Sequence, residues 1–300
     1  MHFSLKILPA ILATVTISLQ AQMGPPIPAG KTLFSSQALV IVQNEGDLDG
    51  GGDVSVDRFG FKFGVIHGLE RGRSIGATID YKTIDYDFSN LLGASPWEEI
   101  EQWSLALQYR HAIDRESAIF AMPSVSFSSE SSASLGDGLE FGGIFGYTKQ
   151  LRPDLALGFG GGFFTGLEDT SGFPVIFVYW QIDDAWRLSN PFRPGPSGPA
   201  GLEFVYTGIT DWEFGFSGGY RTNRFALDAT GIAPDGFGEN SGAALLVRAS
   251  REFTSGGQLD FHIGTVAGGE LELEDRSGRG ISSTDTDPAI LFSVAFTQRW

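Results

Sequence analysis

The residues that could carry covalent chemistry are few. Asp260 and His262 stand two apart, the spacing that puts both on one strand face, where an acid–histidine pair would serve hydrolysis given a nearby serine. No such serine is specified by spacing. Gly215-Phe216-Ser217-Gly218-Gly219 matches Gly-x-Ser-x-Gly. That elbow needs a strand, a sharp turn and a helix, whereas this match runs through alternating sequence between Phe214 and Tyr220. The acidic loop Asp47-Leu48-Asp49-Gly50-Gly51-Gly52-Asp53 lacks EF-hand spacing and its closing glutamate, so a solvated loop is expected there. Gly158 to Gly162 is followed by no Gly-Lys-Ser/Thr, and no phosphate cradle is expected. With no cysteine there is neither thiolate nor disulfide chemistry. The chain is read as a non-enzyme with no metal and no cofactor.

The other ionisable and amide side chains fall into a different pattern. Lys62, Asp80, Lys82, Gln108, Arg110, Glu140, Glu213, Arg221, Arg248, Asp260, His262 and Arg299 each sit opposite a greasy face in period-two sequence. Trp103, Leu105, Leu107 and Tyr109 alternate with Ser104, Ala106, Gln108 and Arg110. Phe59, Phe61, Phe63 and Val65 alternate with Gly60, Lys62, Gly64 and Ile66, and Leu259, Phe261 and Ile263 with Asp260, His262 and Gly264. Successive strand side chains point to opposite faces, so each stretch has one apolar face and one polar or small face.

Composition agrees with strands. Glycine accounts for 41 of 300 residues and charged residues for 19%. Glycine costs on the order of 1 kcal/mol per helix position, which disfavours a helical bundle. The net charge of −16 argues against nucleic acid, whose phosphates require a basic face. Residues 1–21 read as a signal peptide: Lys6, an apolar run from Ile7 to Leu19, then Leu19-Gln20-Ala21 with cleavage after Ala21. Residues 22–300 form one domain. No later apolar stretch is long enough for a spanning helix.

The C-terminus separates a soluble sandwich from a membrane barrel. Ile290, Phe292, Val294, Phe296, Gln298 and Trp300 share one face, and the chain stops on the aromatic. This resembles the last strand of bacterial outer-membrane β-barrel proteins. The resemblance implies that Phe292, Val294, Phe296 and Trp300 form the signal read by the barrel-assembly machinery. It also implies an outer-membrane location, with membrane lipid as partner. More narrowly the chain resembles an uncharacterised barrel family of unknown function, through Pro174 to Leu188 and the final strand.

The expected fold is all-β: a transmembrane antiparallel up-and-down barrel of about 14 strands, with 12 as the alternative. Short turns are expected near 67–73, 113–116, 150–154, 182–185, 209–211 and 254–257. Longer acidic or glycine-rich loops are expected at 44–53, 89–101, 129–138, 166–172, 190–199, 229–240 and 270–287. Trp186, Trp212, Trp300, Tyr109 and Tyr147 fit an aromatic girdle at the turn end, and Trp103 and Tyr86 one at the loop end. Size and strand count are similar to monomeric fourteen-stranded channels, which implies a monomer. Fatty-acid transporters of that strand number carry an N-terminal hatch, whereas only residues 22–31 precede the first strand here.

Three functions follow from this architecture. The leading one is a passive channel for small hydrophilic solutes, with the twelve polar side chains lining a hydrated pore. The second is a closed structural or adhesive barrel presenting acidic loops, in which the same groups pair and stiffen the wall. An outer-membrane hydrolase is the third.

Overall fold

The computed structural model describes residues 27–133, 136–167, 169–190 and 201–300. The signal-peptide assignment and most of the 190–199 loop lie outside the described residues. Alternating sequence becomes strand throughout. In order these are β1 (Thr32–Asp47), β2 (Asp53–Gly68), β3 (Arg73–Ser89), β4 (Glu99–Ala112) and β5 (Ser117–Glu130). There follow β6 (Leu139–Arg152), β7 (Leu155–Gly166), β8 (Asp169–Gln181), β9 (Trp186–Ser189) and β10 (Gly201–Ile209). The last are β11 (Trp212–Ala226), β12 (Phe237–Glu252), β13 (Gly257–Glu274), β14 (Gly280–Thr286) and β15 (Ala289–Arg299). One 3₁₀ turn, Glu70–Gly72, joins β2 to β3. Among the described residues no helix is long and apolar enough to cross a membrane, which says nothing against crossing by strands.

Neighbouring strands pair antiparallel from β1 through β13, and β13 pairs with β15. The sheet closes where β15 meets β1, from Ser35↔Arg299 to Gln43↔Leu291. The closed wall thus has fourteen strands. β14 stands outside it, paired to the far end of β13. The expected 270–287 loop is therefore mostly a β-hairpin, because Leu271 and Leu273 turn inward and extend the ladder. The expected 166–172 loop is likewise short, since β8 already begins at Asp169.

All six expected short turns join consecutive strands at one end of the barrel. Aspartates close two of them: Asp114 Oδ1 accepts the Glu116 and Ser117 N–H at 2.8 and 2.7 Å, and Asp183 Oδ1 those of Ala185 and Trp186 at 2.8 and 2.9 Å. Such Asx turns let a chain reverse within a few residues.

The apolar faces point outward. Phe59, Phe61, Leu105, Phe145, Phe214, Phe261 and Phe292 are all exposed on the outer wall, the arrangement of a lipid-facing belt rather than of a soluble sandwich. Turn-end aromatics gather as expected, with Trp186 stacked on Phe204 at 4.7 Å and Arg251 over Trp212 at 5.5 Å. Tyr86 is the exception. It faces inward and packs on Trp97 and Phe225, so it is not a girdle residue.

At the closing seam Trp300 stacks on Phe34 with centroids 6.2 Å apart and lies 6.5 Å from Phe63. Its backbone exchanges hydrogen bonds with Phe34 at 2.9 and 3.1 Å. Trp300→Ala is expected to lower unfolding stability in detergent by about 1 kcal/mol, the worth of an aromatic pair. Deleting residues 296–300 removes the seam pairs from Ala38↔Phe296 to Ser35↔Arg299. It is expected to abolish the faster gel migration of unboiled, closed barrel. Retention of that mobility would show that closure does not depend on these residues.

Candidate functional site: the lumen and its loop-end constriction

The inner wall carries the polar side chains in an ordered way. Strand pairing aligns Gln37↔Lys62↔Asp80↔Ser104↔Ser126↔Glu140 in one row across six strands, from β1 to β6. At the strand spacing of about 4.8 Å the row runs about 24 Å around the lumen. Several of its members are bonded. Gln37 donates to Thr297 at 3.1 Å, Lys62 and Lys82 reach Asp80 at 3.4 and 3.0 Å, and Ser126 donates to Glu140 at 3.3 Å.

A second group lies on β9 to β13. Arg248 is 1% exposed and is held by three carboxylates: Glu203 at 2.6 Å, Glu213 at 3.2 Å and Asp260 at 3.2 Å. Arg187 also reaches Glu213 at 3.2 Å. Burial of so many charges is tolerated because each is met by an opposite charge and by hydrogen bonds. Arg248 faces inward, yet it is enclosed in this cluster rather than presented to open water.

The acid–histidine pair does not form. Asp260 accepts from Gln258 at 2.9 and 3.0 Å and pairs with Arg248, while Nδ1 of His262 has no hydrogen-bond partner. Ser217 sits in mid-strand on β11. Gln108 donates to Thr78 at 3.1 Å, and Arg110 is half-buried on the inner wall nearer the turns. Arg299 is exposed at the turn-end rim, 3.3 Å from Gln258.

Not all of the inner wall is polar. Phe120, Met122, Ile144, Phe164 and Phe177, with Phe173 and Val175, form an apolar patch over β5 to β8. Glycines make room for it. A Cβ at Gly142 would lie 2.3 Å from the Phe164 ring, and one at Gly162 2.4 Å from Phe173. The glycine run from 158 to 162 thus serves ring packing.

The loop end is where the lumen narrows. Beyond its last pair with β10, Gly201↔Gly219, β11 bends inward with β12, which stays paired to β13 as far as Phe237↔Glu274, so both faces of residues 221–227 meet protein. On one face Arg221 donates to Gln43 at 2.7 Å, Gln102 donates to Asn223, and Phe225 packs 5.2 Å from Trp97. On the other, Arg224 pairs with Glu239 and Glu274 and donates to the Leu167 carbonyl. The tip reaches β5, six strands away around the wall, with Ala226 pairing in parallel with Ser129. Glu130 latches it by accepting the Asp228 N–H at 2.9 Å and the Glu98 N–H at 3.3 Å. Asp228 in turn accepts from Ser132 and Thr230, which hold its carboxyl below the usual range.

Behind the hairpin, Val56, Ile84, Tyr86, Trp97, Ile100, Phe225 and Leu227 form an apolar core inside the barrel mouth. Trp97, Phe225 and Arg224 were not singled out from sequence. The available signal was at 221–227, Arg-Thr-Asn-Arg-Phe-Ala-Leu, where polar side chains fall on both strand faces and leave none for lipid.

Beside the hairpin a small cavity remains. Its wall includes Asp80, Lys82, Gln102, Ser104, Ser126, Ser128 and Glu140, with Thr222 and Arg224 of the hairpin opposite.

The chain thus folds as a closed fourteen-stranded antiparallel barrel, apolar outside and crossed at one mouth by its own chain. Among solved structures the chain is similar to the TodX monoaromatic hydrocarbon channel deltaS2 mutant, at 9% identity over 97% of each chain with TM-score 0.52. It is also similar to the Pseudomonas putida toluene transporter TodX, at 10% identity over 96% of each chain with TM-score 0.50. An outer membrane channel from Pseudomonas putida F1 follows at 12% identity, over 92% of this chain and 97% of that one, with TM-score 0.49. At such identities the likeness is one of fold. No family model matches the chain. No curated relative matches it.

Proposed function

We propose that this chain is a bacterial outer-membrane channel that passes small polar solutes passively through its lumen. The cavity beside the hairpin carries the reading: hydroxyl, amide and paired charged groups from β3 to β6 line it, beside the apolar Trp103, Phe127 and Leu167. The polar groups replace part of a polar solute's hydration. The exported, lipid-facing character of the chain supports the outer membrane as its place, with the loop end outward.

A second reading is favoured by the Phe120–Phe164–Phe177 patch on the adjoining stretch of inner wall. TodX is named for monoaromatic hydrocarbons, and an aromatic inner wall would suit that cargo.

Refolded protein in planar bilayers tests the channel directly. Discrete current steps in potassium chloride are expected, together with swelling of protein-loaded liposomes in erythritol. No current and no swelling would favour the closed structural barrel. Current that toluene blocks, without erythritol uptake, would favour the hydrocarbon path.

A further inference from the structure

Among the described residues, the cavity beside the hairpin holds one carboxylate that no cation meets. Glu140 is 4% exposed, lines the cavity, and has the Ser126 hydroxyl at 3.3 Å as its polar contact among the described residues. The cations on the same cavity wall are engaged elsewhere: Lys82 with Asp80, and Arg224 with Glu239 and Glu274.

A carboxylate taken this far from water is costly: without a cation it favours the protonated form, and a cation that reaches it stabilises the ionised one. One long hydroxyl contact leaves most of its acceptor capacity unused, since an ionised carboxylate offers about four lone-pair sites. The surroundings favour a particular partner. Ser104, Ser126 and Ser128 are small and add oxygen acceptors, and Leu167 supplies an apolar edge. An alkylammonium group fits this setting. It has three donors and no acceptor, and its carbon end can rest on Leu167.

We infer that Glu140 is the binding contact for a cationic solute, a small organic molecule with a primary ammonium group. The site rests on reading the cavity as the solute path, but its occupancy can be measured without any current. A carboxylate here also sets ion preference, because a fixed negative charge at a narrow point raises the local concentration of cations.

The test uses ethylammonium chloride titrated by calorimetry into the refolded full barrel in detergent, with methylurea as the neutral control. Binding of ethylammonium and not of methylurea is expected. Glu140→Gln should weaken it at least tenfold, and Glu140→Asp should keep part of it. Ser126→Lys is the second variant, since it pairs directly with Glu140 across β5 and β6 and would tether an ammonium group there. It should abolish binding of the free ligand. Equal affinity of wild type and Glu140→Gln, or no binding to wild type, would overturn the site. In bilayers, wild type should prefer potassium to chloride, and Glu140→Gln should move the reversal potential toward zero. A protein that conducts but does not bind ethylammonium keeps the channel and loses this site. One that binds ethylammonium at Glu140 and never conducts keeps the site and loses the channel.

Discussion

Removing residues 222–241 and joining Arg221 to Gly242 through an Asn-Gly turn is expected to raise single-channel conductance several-fold. The wall pairing from Trp212↔Arg251 to Arg221↔Gly242 survives the change, and a two-residue type I′ turn matches the twist of the flanking strands. The deletion takes with it the β12–β13 pairs from Phe237↔Glu274 to Ser241↔Glu270, and it removes the cross-lumen bracing: Gln102 to Asn223, Ser129 to Ala226, Glu130 to Asp228, and the Phe225 ring against Trp97. These contacts occupy the loop-end lumen, so their loss widens the narrowest part of the path. Tyr86 and Trp97 would be uncovered by the same deletion, and stability should fall as well. Conductance equal to wild type, from a shortened protein that still migrates as a closed barrel, would show that ions do not pass beside this hairpin.

Arg248→Ala is expected to cost about 3–5 kcal/mol of unfolding free energy, the penalty for breaking a buried ion pair from one side. Three carboxylates, Glu203, Glu213 and Asp260, would lose their shared partner at once. Arg248→Lys should recover only part of the loss, because an ammonium cannot reproduce the two-pronged contact of Nε and Nη2 with Glu203. Arg221→Ser gives the contrast. Arg221 donates to Gln43, and its removal should cost about 1 to 3 kcal/mol, the worth of a hydrogen bond to a charged group. Urea unfolding of the three variants in detergent micelles checks the order. Equal losses for Arg221→Ser and Arg248→Ala would mean that the carboxylate cluster contributes nothing beyond an ordinary contact.

Those two arginines mark the boundary between local and global information. From sequence Arg221 and Arg248 look alike, each opposite a greasy face in alternating sequence. Strand periodicity is a local property, so it determined which face of β2, β4, β13 and β15 meets lipid and which turns inward. Turn chemistry is local too. Asp114 and Asp183 close their turns through residues two and three positions away, and the short connections could be located without knowing what surrounds them. Even the outward Phe292, Phe296 and Trp300 follow from alternation alone.

Contacts between strands distant in sequence are another matter. The Gln37–Lys62–Asp80–Ser104–Ser126–Glu140 row depends on five registers at once, and a one-residue slip in any of them would turn a strand's side chains to the opposite face. Arg248 meets Glu203 because β10, β11 and β12 pair in one particular stagger. Tyr86 reads as a girdle aromatic until the β11–β12 hairpin folds over it. That fold-over was decided by tertiary packing, since Arg221, Thr222, Asn223 and Arg224 leave no face suited to lipid: Arg221 and Asn223 find partners across the lumen on Gln43 and Gln102, and Arg224 pairs with Glu239 and Glu274 on the neighbouring β12 and β13.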